Sequence, residues 1–135
     1  MTITYIDSGV LVTASRGVDE LSEHAISTLA SPERELASSS FIRLEVLAKA
    51  NYSRQTEEIE FYKTFFSAVK YWADDLEKVM KEGYTISSQY GLAAMDALHL
   101  AAAISVGAEE FITTENPTKP MYRITEIKVI SLFEN

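Results

Sequence analysis

Short β-rich runs alternate with helical patterns along the whole chain, and that alternation restricts the fold more than any other feature. "TITYI" (2–6) alternates Thr with aromatic or β-branched residues and stops at "DSG", the pattern of a short strand ending in a turn or helix cap. Residues 10–30 follow helical spacing through Val18, Leu21, Ala25, Ile26 and Leu29, and Pro32 ends that helix by disfavouring helical backbone at Ser31. "ELASSS" gives a second strand, with Ser40 placed to cap a helix from Phe41 to about Tyr52. In "QTEEIEFYKTFFSAVK" (55–70), Ile59, Tyr62, Phe65, Phe66 and Val69 form one helical stripe. "VKYWA" reads as a brief strand, Asp74 or Asp75 as the cap of the next helix, and Gly83 as that helix's end. A last helix runs through "LAAMDALHLAAA" (92–103) to near Gly107, and "EEFITTE" and "EIKVISLF" are two further strands. Strands alternating with helices build a parallel sheet covered on both faces. The expectation is one α/β domain over 1–135, with three α/β/α layers around a central parallel sheet of four to five strands.

The totals suit such a domain. A chain of 135 residues, 47% hydrophobic and 24% charged, has room for a real core. Charged or polar residues interrupt every apolar run before the roughly 18–20 residues of a membrane span. No basic region precedes the apolar residues of "MTITYIDSGV", so a secretory signal is not expected, and the absence of cysteine excludes disulfides and thiolate metal sites. A cytoplasmic protein is expected. The net charge of −8 argues against coating nucleic acid, because non-specific binding depends on Lys and Arg neutralising phosphates. It leaves open an enzyme that meets nucleic acid through metal ions, and equally a merely solvated acidic surface.

Sites in open parallel sheets lie beyond the carboxyl ends of the strands. Asp7 follows the first strand directly, and Glu115 follows "EFITT". Glu45 sits in the helix "FIRLEVLAKA", and Asp96 in the apolar "LAAMDALHLAAA", where a buried charge is costly unless something pairs with it. Each acid also has a plainer reading. An acid after a strand is commonly a helix cap, and Glu45 also fits a wet stripe with Arg43, Lys49 and Arg54. Asp96 is harder to explain that way, since Met95, Ala97 and Leu98 leave it no polar face. His99, at i+3, is spaced to meet it, and a structural His–Asp pair is the simpler reading of that imidazole.

Four pieces in order, "YIDSGVL", "SSSFIRLEVL", "AAMDALHLAAA" and "FITTEN", resemble the PIN domain, specifically the small ribonucleases of VapC-type toxin–antitoxin pairs. The resemblance spans nearly the whole chain, and "MDALHLAAA" is its most specific part. It implies that Asp7, Glu45, Asp96 and Glu115 converge to bind one or two Mg²⁺ or Mn²⁺ ions and to cleave single-stranded RNA. Ser8 and Thr113 match hydroxyl positions beside that cluster. Glu115 departs from the Asp more common at its position, and "NPTKP" stands where an aromatic residue often follows, so Asn116 is a residue able to share its role. The resemblance also implies an antitoxin partner and a homodimer.

The chemistry explains the residue types. Carboxylates about 5 Å apart repel by roughly 3 kcal/mol per pair at an effective dielectric near 20. Hard cations favour oxygen ligands and remove that repulsion. They also lower the pKa of water and stabilise a departing oxygen, so no nucleophilic side chain is needed. Arg16, Arg43, Lys49 and Lys119 are candidates by location for positioning the substrate, although surface charge is the commoner role for any one of them. Three other readings compete. The first is a non-catalytic PIN-like module whose ligand is a protein or RNA. A haloacid-dehalogenase-type phosphatase needs a second acid where Gly9 stands. A response-regulator receiver needs paired acids that "IDSG" lacks.

Overall fold

The computed structural model describes residues 1–133. Its strands are β1 (Thr2–Ile6), β2 (Arg34–Ser38), β3 (Tyr71–Trp72), β4 (Glu110–Thr113) and β5 (Lys128–Ser131). The helices are α1 (Ser8–Arg16), α2 (Glu20–Leu29), α3 (Ser40–Tyr52), α4 (Thr56–Ala68), α5 (Leu76–Tyr90) and α6 (Ala94–Ser105), with a short 3₁₀ turn at Pro120–Arg123. All strand pairs are parallel, in the order β3-β2-β1-β4-β5, and helices flank the sheet as the alternation predicts. Successive residues at the ends of β1 and β4 are buried, as in a sheet covered on both faces. Tyr5 of β1 and Phe111 of β4, both fully buried, stack with centroids 5.4 Å apart at the centre of the core. Among the described residues, no helix is long and apolar enough to cross a membrane.

Three local expectations are corrected. The helix expected over 10–30 is two helices. Gly17 takes the left-handed conformation (φ 62°) that ends α1, and Asp19 caps α2 by accepting the Ser22 N–H at 2.8 Å. Val18 therefore lies in the bend, 80% exposed, instead of on the buried stripe. The cap of α3 is Ser39, one residue before the expected Ser40, because Ser39 has the extended backbone of a cap and its Oγ accepts the Ile42 N–H. Gly83 does not end α5, which continues to Tyr90 and stops at the left-handed Gly91. Gly83 serves close packing instead: a Cβ there would lie 3.2 Å from Leu98 Cδ2 of α6. Of the two candidate caps for α5, Asp75 is the one whose side chain accepts a backbone N–H, from Lys78.

The strand order sets the site. The chain builds outward from β1 to β2 and β3, then crosses back to place β4 on the other side of β1. Between β1 and β4 the connections diverge, the switch point beyond whose carboxyl ends open parallel sheets carry their crevice. The register pairs Ile6 with Ile112, so Asp7 and Thr113 emerge side by side although 106 residues separate them.

Candidate active site

Asp7 is both the residue after β1 and the cap of α1. Its Oδ1 accepts the Ser8 N–H at 2.9 Å, and its Oδ2 accepts the Thr113 hydroxyl at 2.7 Å. Only 9% of the residue is exposed. Burial pushes its carboxyl above the usual range, partly offset by His99, Thr113 and Ser8, and the neighbouring Glu45 charge pushes the same way as burial. Thr113 is fully buried and two-handed, because its Oγ1 also accepts the Glu115 N–H at 3.1 Å. Close packing of α1 on the β4 loop is possible because residue 9 is glycine: a Cβ there would meet Thr114 Oγ1 at 2.1 Å.

Glu45 reaches the crevice from α3, with Oε1 2.8 Å from His99 Nε2. The imidazole beside it, more than any other neighbour, holds its carboxyl below the usual range against the opposing effect of desolvation, and Ser8 adds to the lowering. The contact is one of proximity without the alignment of a hydrogen bond, and Nε2 is left buried with no hydrogen-bond partner among the described residues. The expected pairing of His99 with Asp96 is thereby corrected. The ring, one turn further along α6, lies under Tyr5 and Phe41, with Nδ1 3.3 Å from Tyr5 Oη.

Asp96 instead lies in the first turn of α6 with its side chain 22% exposed, closer to solvent than its apolar neighbours suggest. Desolvation raises its carboxyl, Lys119 opposes that, and the Glu115 charge adds to it. Lys119 Nζ lies 3.4 Å from Glu115 Oε2 and 4.0 Å from Asp96 Oδ2, an ammonium between two carboxylates. The Glu115 carbonyl accepts the Tyr122 hydroxyl at 2.8 Å and the Ser131 hydroxyl at 3.4 Å, so the loop after β4 is tied back to β5.

The other sequence candidates are distributed around this centre. Asn116 is exposed, and its Oδ1 accepts the Thr118 N–H and hydroxyl, each at 2.9 Å, in a local loop turn. Arg16 and Lys49 line a groove of about 240 Å³ beside Glu45, together with Gln55 and Tyr62. Arg43 lies on the far side of α3, with its guanidinium 5.7 Å from the Phe66 ring centroid and 5.6 Å from that of Trp72. Sequence reasoning missed Tyr5 and Ser39, whose hydroxyls lie 2.6 Å apart beneath the site. The available signal was a Tyr inside a buried strand, whose hydroxyl needs a partner.

The arrangement fits a divalent cation. Among the described residues, ligand atoms of Asp7, Glu45 and His99 lie within 4.8 Å of one another, and the buried Nε2 of His99 has no aligned partner. Oxygen-rich donor sets of this kind suit Mg²⁺ or Mn²⁺. Asp96 and Glu115 lie outside that trio; they meet at Lys119, and Asp96 feels the Glu45 charge.

Two solved structures share the fold. One is a chain of the VapBC2 complex of Rickettsia felis, solved bound to a DNA fragment from the complex's promoter; it is 20% identical, with 96% of this chain and 98% of that chain covered and a TM-score of 0.71. The other is a chain of a toxin–antitoxin complex from Klebsiella pneumoniae, also 20% identical, with 98% and 99% covered and a TM-score of 0.75. A search of curated proteins gives no match. The PIN-domain family model matches residues 4–119, which include all four candidate acids, and the chain belongs to the PIN-domain family.

Proposed function

We propose that the protein is a metal-dependent endoribonuclease that cleaves single-stranded RNA, the toxin of a toxin–antitoxin pair. The observation that carries this reading is that Asp7, Glu45 and His99 offer ligand atoms within 4.8 Å of one another, with Asp96 and Glu115 gathered at Lys119. Asp7 feels Glu45, and Asp96 feels both Glu115 and Glu45. Such a group is poorly explained as solvated surface, because Asp7 and Asp96 are each held above the usual carboxylate range by burial and, in smaller part, by a neighbouring acid. Membership of the PIN family and a fold shared with toxin–antitoxin complexes support the same conclusion.

Asp7, Glu45, Asp96 and Glu115 would hold one or two Mg²⁺ or Mn²⁺ ions. The chemistry such an ion supplies when bound is polarisation of the phosphoryl group and activation of water near neutral pH. The chain's own residues do the rest. Thr113 and the Ser8 N–H fix both oxygens of Asp7 in place. Lys119 tempers the charge of Asp96 and Glu115, so a polyanion meets a less repulsive rim. Arg16 and Lys49, flanking the groove beside Glu45, are suited to phosphates on either side of the scissile bond. An antitoxin segment that fits this groove and a homodimer complete the reading, in a cytoplasmic setting.

The test is cleavage of single-stranded RNA by Asp7→Asn and Asp96→Asn, each assayed with Mg²⁺ and with Mn²⁺. Loss of cleavage in both is expected, and wild-type rates in both refute the reading. Lys119, placed as a built-in counter-ion for two of the acids, favours the alternative of a catalytically inactive binding module. Calorimetry separates the two, because only the nuclease reading requires Mn²⁺ uptake.

A further inference from the structure

The geometry points to His99 as a nitrogen ligand of the cation held at Asp7 and Glu45, making that position a mixed carboxylate–imidazole site that prefers Mn²⁺ to Mg²⁺. This rests on the metal-dependent reading above and adds a donor that four acids alone lack.

His99 is 4% exposed, and its Nε2 is buried without a hydrogen-bond partner among the described residues. Such an orphaned ring nitrogen costs stability unless something engages it. What faces it is carboxylate: Glu45 Oε1 lies 2.8 Å away but out of line for an N–H donor, and an Asp7 oxygen lies within 4.8 Å of a ring nitrogen. A cation among the three satisfies Nε2 and both acids together, and two carboxylates with a neutral imidazole balance its charge.

The opposite edge of the ring is anchored. Nδ1 lies 3.3 Å from Tyr5 Oη, which lies 2.6 Å from Ser39 Oγ. With Tyr5 donating to Ser39, Tyr5 Oη is free to accept the Nδ1 proton, and the Nε2 lone pair is directed at the two acids. Metal-binding histidines are oriented in this way, by an outer partner that fixes the tautomer through the other nitrogen. Phe41 packs edge-on at 6.2 Å and restricts ring rotation. Tyr5 and Ser39 thus act as positioning residues for the imidazole. A nitrogen donor favours Mn²⁺ and later transition ions over Mg²⁺, which prefers oxygen.

The test uses the full chain without a histidine tag, loaded with one equivalent of Mn²⁺ and read by electron spin-echo modulation. Directly bound imidazole gives a ¹⁴N modulation. It is expected in the wild type, retained in His24→Gln, which removes the other histidine, and lost in His99→Gln. Calorimetric competition should show Mn²⁺ bound at least about tenfold tighter than Mg²⁺, with the preference reduced in His99→Gln. Mn²⁺ bound by the wild type without ¹⁴N modulation overturns the inference and leaves the nuclease reading standing. No Mn²⁺ uptake at all overturns both. The wild-type spectrum decides the matter even where His99→Gln fails to fold.

Discussion

Asp7→Asn should stabilise the cation-free protein while abolishing its response to cations. Desolvation is the main cost of an ionised Asp7, and Glu45, with an oxygen within 4.8 Å, adds to it when both are charged, by about 0.9 kcal/mol in bulk water and about 3.5 kcal/mol at an effective dielectric near 20. Glu45 has a side chain 38% exposed, so solvent screens the pair and the true cost lies between those limits. Asn keeps the cap, because its Oδ1 still accepts the Ser8 N–H, and its amide has Thr113 Oγ1 as an acceptor. Allowing for the lost favourable dipole interaction of about 0.5 kcal/mol, a net gain of about 1–2 kcal/mol remains. For 135 residues, that corresponds to a melting temperature about 4–7 °C higher at pH 7 with chelator present. The order should reverse with saturating Mn²⁺, which adds about 2.7 kcal/mol to the wild type at one hundred times Kd and nothing to the variant. The pH dependence has a definite sign. Burial raises the folded Asp7 carboxyl, so the native state keeps a proton that the unfolded chain has released. The stabilising contribution of that proton is full below the unfolded carboxylate range and is lost as pH rises through the raised folded value. Asn removes that slope. Differential scanning fluorimetry in chelator and in Mn²⁺, across pH, measures all of this. A variant that melts below the wild type in chelator, or keeps its Mn²⁺-induced gain, refutes the reasoning.

Other perturbations have equally direct outcomes. Lys119→Gln removes the ammonium that competes for Asp96 and Glu115; for a pair this exposed, Mn²⁺ binding by calorimetry should tighten by up to about fivefold, and weaker binding would count against a counter-ion role. Gly9→Ala should cost about 1–3 kcal/mol in urea denaturation, because its Cβ meets Thr114 Oγ1. Adding Thr114→Ala should restore most of that loss, and no rescue would mean that the contact does not control the packing. Ser39→Ala removes a helix cap and the partner of Tyr5 Oη together, so a loss of about 1–2 kcal/mol by the same method is expected, and a neutral result would show that Tyr5 finds another partner.

The layers and the strands were legible in sequence because period-two and period-3.6 patterns alternate cleanly from Thr2 to Ser131. Helix ends were less so. Gly17 and Gly83 carry the same letter and opposite meanings: one supplies a left-handed turn, and the other supplies room for Leu98. Only the packing of α5 on α6 distinguishes them. Asp7 and Glu115 could be located because strand ends are readable, whereas their neighbours could not, since strand order is set by long-range contacts. The mistaken partner of His99 shows the limit well. Helical spacing permits a bond to Asp96, but the ring's place beneath Tyr5 directs it to Glu45, and that choice belongs to tertiary packing.

The adjacency of β1 and β4 also bears on synthesis. Thr113, the partner of Asp7, is made 106 residues after it. The Glu115 loop is tied down by Ser131 later still. Contacts of such separation cannot form until both partners have been synthesised. A nascent chain therefore carries an incomplete crevice until Ser131 has been made, and any activity that depends on the Asp7–Thr113 contact is absent before then.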